Sequence, residues 1–291
     1  IVMEQFGKGL VVEPYMPSII LAGGLISKLG SADQKNSIIP EIISGDRRYV
    51  FAYAEPQSRF DLFDVKCSAT LDGDNYIING FKSVVFGAGM ATHLIISART
   101  DGDQRSKSGI TLFLVDIKSD GITLQNYPTI DEYRASEVVI ENLTVSKENI
   151  LGELGNSYEA IEEQVDLSTI AICSEAVGIL QVLKDSTNDY CKNRKQFGQS
   201  ISANQAIQHR LVDMMIEYEQ AKSILYMAIT ADLSNSDERR KAASAAKARI
   251  GKAIKFVGEN AIQLHGGMGV VDEYMISHFF KRATMIGILF G

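Results

Sequence analysis

The spacing of apolar residues changes twice along the chain, and any fold must respect both changes. Residues 1–48 read as helical. Ser31-Ala32-Asp33-Gln34 has the form of a capping box, Ile38, Ile39, Ile42 and Ile43 fall on one helix face, and Gly45 supplies the stop. From 49 to 155 short β-rich runs take over, at 49–53, 76–79, 84–86, 93–98, 111–115 and 137–140. Turn signals separate them, Asp72-Gly73-Asp74-Asn75 as a hairpin and Ile78-Asn79-Gly80 as a tight turn. No long helical pattern interrupts these runs, which predicts an antiparallel barrel or sandwich rather than a parallel βαβ sheet. Residues 156–291 return to helical spacing. Asn156 or Ser157 can cap a helix running to about 193, a second spans about 202–233, and Ser236-Asp237 starts a third that ends near His265-Gly266-Gly267. A fourth covers about 272–289, and long helices joined by short loops predict an up-and-down four-helix bundle. The expected class is α+β in three zones: N-terminal helices, a middle β-barrel domain and a C-terminal bundle.

Composition narrows the function. A formal charge of −7 argues against a general nucleic-acid partner and an anionic membrane surface, although a local basic pocket can still hold an anion. Three scattered cysteines, Cys67, Cys173 and Cys191, predict reduced thiols in a cytoplasmic compartment rather than a disulfide framework. The four histidines show no metal-ligand spacing, and no apolar run is expected to span a bilayer. Ile1-Val2-Met3-Glu4 is not a signal peptide. The chain opens inside a helical pattern and stops at Phe290-Gly291, so further segments are expected at both ends.

Three segments could carry chemistry. Gly87-Ala88-Gly89 follows a strand, but without GxGxxG or an opening helix it reads as a strand-ending turn. Gln263-Leu264-His265-Gly266-Gly267-Met268-Gly269 ends one helix and precedes another. A C-cap accounts for one glycine; three in four residues point to a backbone that passes close to a flat or charged ligand. Arg194-Lys195-Gln196-Phe197-Gly198 lies between helices and reads first as an exposed basic loop. Arg194 can nevertheless pair with phosphate, Phe197 can stack on an adenine, and Gln205 offers an amide shortly after.

Taken together, these motifs resemble those of acyl-CoA dehydrogenases. Arg194 to Gly198 followed by Asn204-Gln205-Ala206-Ile207-Gln208 is similar to the family's RxxFG…QAxQ signature. Gln263 to Gly269 followed by Glu273-Tyr274 is similar to its QxxGGxGxxxEY segment. Ala54-Glu55-Pro56 stands in place of TEP, Tyr76 to Lys82 is a further match, and Ile150-Leu151-Gly152-Glu153-Leu154-Gly155 resembles the turn between β-domain and bundle. The resemblance implies FAD, an acyl-CoA substrate, α,β-desaturation of the thioester, dimers or dimers of dimers, and an electron-transferring flavoprotein as acceptor. It further implies that Arg194, Phe197, Gln205, Gln263, Gly266 and Gly267 hold the adenosine and pyrophosphate half of FAD.

The resemblance fails where proton transfer should occur. This chemistry needs a carboxylate tuned to remove an α-proton. Phe290 occupies the family's usual base position, and Ser168, with Thr169 after it, occupies the alternative one. Ring-side positions depart as well. Ala54 replaces a threonine, Gln57-Ser58-Arg59-Phe60-Asp61 replaces GAGSD, and Val84-Val85-Phe86 replaces WIT. The pattern resembles small subunits of heteromeric enzymes, including pimeloyl-CoA dehydrogenases, in which a large partner supplies the base. The alternatives are a self-sufficient enzyme whose base has moved to Glu175 or Glu55, each also readable as a local structural charge, and a flavin-free scaffold.

Overall fold

The computed structural model describes residues 1–291, which divide by contact into two compact units, Glu13–Ser168 and Ile1–Val12 with Thr169–Gly291.

The first unit opens on a π-helix, Met16–Gly23, which runs into α2, Gly24–Leu29. A π-helix shifts the backbone ladder and frees carbonyls for other donors. Here Gln164 Nε2 donates to the Ile20 carbonyl at 2.8 Å, and its amide fills the space that Gly24 leaves by lacking a side chain. Helix α3, Ala32–Ser44, forms as its ends predict. Ser31 Oγ accepts from the Gln34 amide at 3.1 Å, the Ser31 amide donates back to Gln34 Oε1 at 3.0 Å, and Gly45 closes the helix at φ 84°. Gln34 also donates to the Ile150 carbonyl at 3.0 Å, so the same cap anchors the helix to the sheet.

The sheet has eight strands: β1 Tyr49–Ala52, β2 Ser68–Asp72, β3 Asn75–Phe86, β4 His93–Arg99, β5 Ile110–Asp116, β6 Ile122–Pro128, β7 Arg134–Ser146 and β8 Ile150–Leu151. Its order is β6-β7-β3-β2-β4-β5-β8, with β1 pairing β4 off this path. Most pairings are antiparallel, and Asp72-Gly73-Asp74-Asn75 is the hairpin that joins β2 to β3. Ile78-Asn79-Gly80 is not the tight turn expected: it lies inside the single strand β3 at a register shift. β1–β4 and the single β2–β4 bridge are parallel. The long connection between β1 and β4 permits this, since parallel neighbours need a crossover. β4 and β5 form the core, with Leu94, Ile95, Ile96, Ile110, Leu112 and Phe113 all fully buried. Two strands, β2 and β6, alternate only briefly in sequence and bury little. β2 is inward-facing only at Ala69, and β6 has no fully buried residue.

The second unit holds four long helices: α4 Tyr158–Asn193, of which 169–193 lie in this unit, α5 Gln205–Thr230, α6 Ser236–His265 and α7 Met275–Ile288. The N-cap of α6 is Asn235, whose side chain accepts from the amides of Asp237 and Glu238. Contrary to the expectation from the sequence, α4 contains a stretch long and apolar enough to cross a bilayer, but 72% of that window is buried, as in a core helix. Helix α1, Val2–Gly9, crosses α4 through two glycines. A Cβ at Gly7 would fall 2.0 Å from the Glu175 carbonyl oxygen, and one at Gly178 2.0 Å from that of Glu4. The backbones touch, so no other residue fits either position.

Candidate functional site

Helix α4 ends in a small hairpin, β9 Lys195–Gln196 with β10 Gln199–Ser200. Phe197 and Gly198 form its two-residue turn at φ 55° and 85°, the sign pattern of a type I′ turn. Such a conformation is costly for phenylalanine, yet this ring is fully exposed, so it gains nothing from the chain itself. Arg194 stands at the hairpin's base, where its carbonyl accepts from the Ile201 amide at 2.9 Å and its side chain is exposed. Gln205 opens α5 just beyond and is also exposed.

Helix α6 ends at the same end of the bundle, because the rings of Tyr190 on α4 and His265 stack with centroids 4.3 Å apart. Gly266 adopts φ 59°, ψ −137°, a backbone state open essentially to glycine alone. A Cβ on Gly267 would meet nothing within 4 Å, and its φ is unremarkable, so neither packing nor strain within the chain requires glycine there. The open backbone there leaves room for a ligand to approach closely. Gln263 is exposed one turn earlier. The structure thus gathers Arg194, Phe197, Gln205, Gln263, Gly266 and Gly267 on the accessible end of one bundle. A cation, an unstacked aromatic ring and open glycine backbone are the donor set that a dinucleotide's phosphates and adenine require.

The carboxylates considered as displaced bases are placed very differently. Glu55 is 4% exposed and accepts from four donors. These are Lys82 Nζ at 2.7 Å, the Lys66 amide at 2.8 Å, the Cys67 amide at 3.2 Å and Gln57 Nε2 at 2.8 Å. Burial pushes its carboxyl up, but the Lys82 charge and these hydrogen bonds outweigh burial and hold it below the usual carboxylate range. Lys82 is itself fully buried and also donates to Ser97 Oγ at 3.0 Å. Sequence reading missed this pairing, although a lysine among the apolar residues of β3 was its visible sign.

Glu175 is not the locally paired surface charge that its helical setting suggested. It is 5% exposed and held at both oxygens by Arg282 of α7, Nε to Oε1 at 2.6 Å and Nη2 to Oε2 at 3.1 Å, across 107 residues of sequence. Of the two positions where the resemblance leads one to expect a base, Ser168 is fully buried with an unpartnered hydroxyl, and Phe290 lies just beyond α7 at φ 61°. On the ring side, Val84 sits at φ 52° on a bulge of β3 and is 43% exposed. Its side chain and that of Ala54 offer no polar atom.

Comparison with known proteins agrees with this anatomy. The acyl-CoA dehydrogenase middle-domain family matches residues 50–143, and the acyl-CoA dehydrogenase C-terminal-domain family matches residues 158–291. The caffeyl-CoA reductase–Etf complex subunit CarC of Acetobacterium woodii is 30% identical, over 100% of this chain and 78% of its own length. The short-chain specific acyl-CoA dehydrogenase of Homo sapiens is likewise 30% identical, over 100% of this chain and 71% of its own length. Among solved structures, butyryl-CoA dehydrogenase from Megasphaera elsdenii superposes with a TM-score of 0.91 at 25% identity, covering 99% of this chain and 76% of that one. With both family domains in order and relatives aligned over the full length of this chain, the chain belongs to the acyl-CoA dehydrogenase family.

Proposed function

We propose that this chain is the FAD-gripping, base-deficient subunit of a heteromeric acyl-CoA dehydrogenase that desaturates the α,β bond of an acyl-CoA thioester. The observation that carries this reading is an asymmetry among its own residues. The side chains of Arg194 and Phe197 and the backbone of Gly266 and Gly267 are exposed, whereas Glu55 and Glu175 are sealed in buried ion pairs. A carboxylate already neutralised by a buried cation is a poor acceptor for an α-proton.

The residues at the open end of the bundle fit the distal half of FAD. Arg194 would pair with the pyrophosphate, Phe197 would stack on the adenine, and the amides near Gly266 and Gly267 would face the phosphates, with Gln205 and Gln263 supplying amide contacts. When bound, FAD would accept the hydride that leaves the β-carbon. The α-proton must go to a carboxylate of a large partner subunit, since Phe290 and Ser168 cannot take it. The name of the Acetobacterium woodii relative places that protein in a complex with an electron-transferring flavoprotein, which supports the same class of electron acceptor here. All three cysteines are unpaired, which supports a reducing, cytoplasmic setting. The reading also keeps the three zones, 1–48, 49–155 and 156–291, as the units of domain organisation.

Replacing Arg194 by Ala tests the phosphate role. Loss of a charge-assisted pair weakens FAD retention roughly 10- to 100-fold by flavin fluorescence after gel filtration. Unchanged retention would refute the assignment.

A further inference from the structure

The helix end that presents Gly266 and Gly267 is organised around His265, a side chain without a role so far. His265 closes α6 and is 2% exposed. Its ring lies against Tyr190 at 4.3 Å and 29°, and against Tyr274, ahead of α7, at 5.3 Å and 50°. Nδ1 is 2.8 Å from the Ala261 carbonyl oxygen, one turn back along the same helix. A carbonyl only accepts, so Nδ1 carries the proton. Nε2 is buried without a hydrogen-bond partner and is therefore the bare nitrogen. Tyr190 Oη donates to the His265 carbonyl at 3.4 Å. A Cβ on Gly269 would fall 2.8 Å from the Ile262 carbonyl oxygen and 3.2 Å from His265 Cβ, so the turn wraps closely on this residue.

We infer that His265 is a positioning residue, a neutral imidazole held between two phenols whose Nδ1–H bond to Ala261 fixes how α6 ends and therefore how Gly266 and Gly267 meet a dinucleotide. The inference rests on the dinucleotide reading proposed above. His265 acts through the turn, because its ring is buried beneath it. The groups facing the imidazole are the phenols of Tyr190 from α4 and Tyr274 from the segment before α7, with the Ala261 carbonyl on its own helix. A phenol is uncharged near neutral pH, so a proton on Nε2 would be a buried charge lacking an acceptor. The turn holds while the ring is neutral and loosens as it is protonated.

Amide hydrogen exchange over 266–270, corrected for intrinsic rates and followed from about pH 8 to 5 with and without added FAD, tests this. His265→Asn keeps an N–H donor for Ala261 but cannot titrate; His265→Phe keeps only the stacking. Exchange in the wild type should quicken about 10-fold toward the acid end, because opening the turn lets Nε2 bind a proton that the closed turn refuses. His265→Asn should stay protected and lose the pH response, and His265→Phe should exchange fast throughout. If His265→Phe does not fold, His265→Asn carries the comparison. A wild-type turn indifferent to pH, or a phenylalanine variant as protected as the wild type, overturns the role. FAD retention should follow the same pH profile. A turn that responds to pH in a protein that takes up no FAD even together with its partner subunit upholds His265 as the organiser of the helix end and defeats the dinucleotide reading instead.

Discussion

Glu55 and Glu175 are the carboxylates a displaced base would most readily use, and each is committed to a buried cation. Removing one member of such a pair leaves the other charged and unmatched, which costs about 3–5 kcal/mol. Glu175→Gln should therefore lower the urea midpoint sharply. The double variant Glu175→Leu/Arg282→Met should recover most of the loss, because an apolar pair of similar volume replaces the ion pair. A Glu175→Gln protein of wild-type stability would show that the pair contributes little and would reopen Glu175 as a base. The thiols behave consistently with the same interior. Burial pushes all three up, Cys173 to about 12, so none should react with a thiol reagent at pH 8 until the protein unfolds. Fast labelling of the native protein would contradict that placement.

At the scale of elements, the α1–α4 crossing leaves a side chain less room than any other glycine position in its unit. Gly178→Ala would drive a methyl into the Glu4 carbonyl and should cost at least about 1–3 kcal/mol, with α1 losing exchange protection first. Equal protection of α1 in the variant would show that the crossing can widen freely. What the sequence disclosed at this scale follows from range. The cap of α3 was readable because Ser31, Gln34 and Gly45 act within a few residues of one another. β2 and β6 were not, because their alternation, Ser68-Ala69-Thr70-Leu71-Asp72 and Ile122-Thr123-Leu124-Gln125, is brief and places few residues in the core. The hairpin carrying Phe197 was hidden for another reason, since Phe-Gly is not a usual type I′ pair and reads as a plain basic loop. The candidate site was readable as motifs, but Glu55–Lys82 and Glu175–Arg282 depend on contacts that only the folded chain creates.

For the whole molecule, acid should act in two stages. Burial lowers the pKa of His93 and His265 in the folded state, so the unfolded chain binds more protons than the folded one once the pH drops below about 6.5. Their contribution is complete above that value and is lost as the pH falls toward their folded pKa values. Glu55 is also lowered, so its contribution holds above the ordinary glutamate range of about 4.3 and is lost as the pH falls through its folded pKa. Denaturant midpoints measured from pH 8 to 3 should decline below about 6.5 and again below about 4.3. A flat profile between 8 and 5 would contradict the lowered pKa values of half-buried His93 and buried His265.

The proposed division of labour between subunits would be a property of the assembled protein, so it is tested there. The chain should be purified alone and together with a second acyl-CoA dehydrogenase-type subunit that carries a carboxylate at the position of Phe290. Flavin absorbance and acyl-CoA-dependent bleaching are then recorded for both. Bound flavin and bleaching are expected in the co-complex, with neither bleaching nor acceptor reduction from this chain alone. Yellow protein from the isolated chain that an acyl-CoA bleaches would contradict a base-deficient subunit.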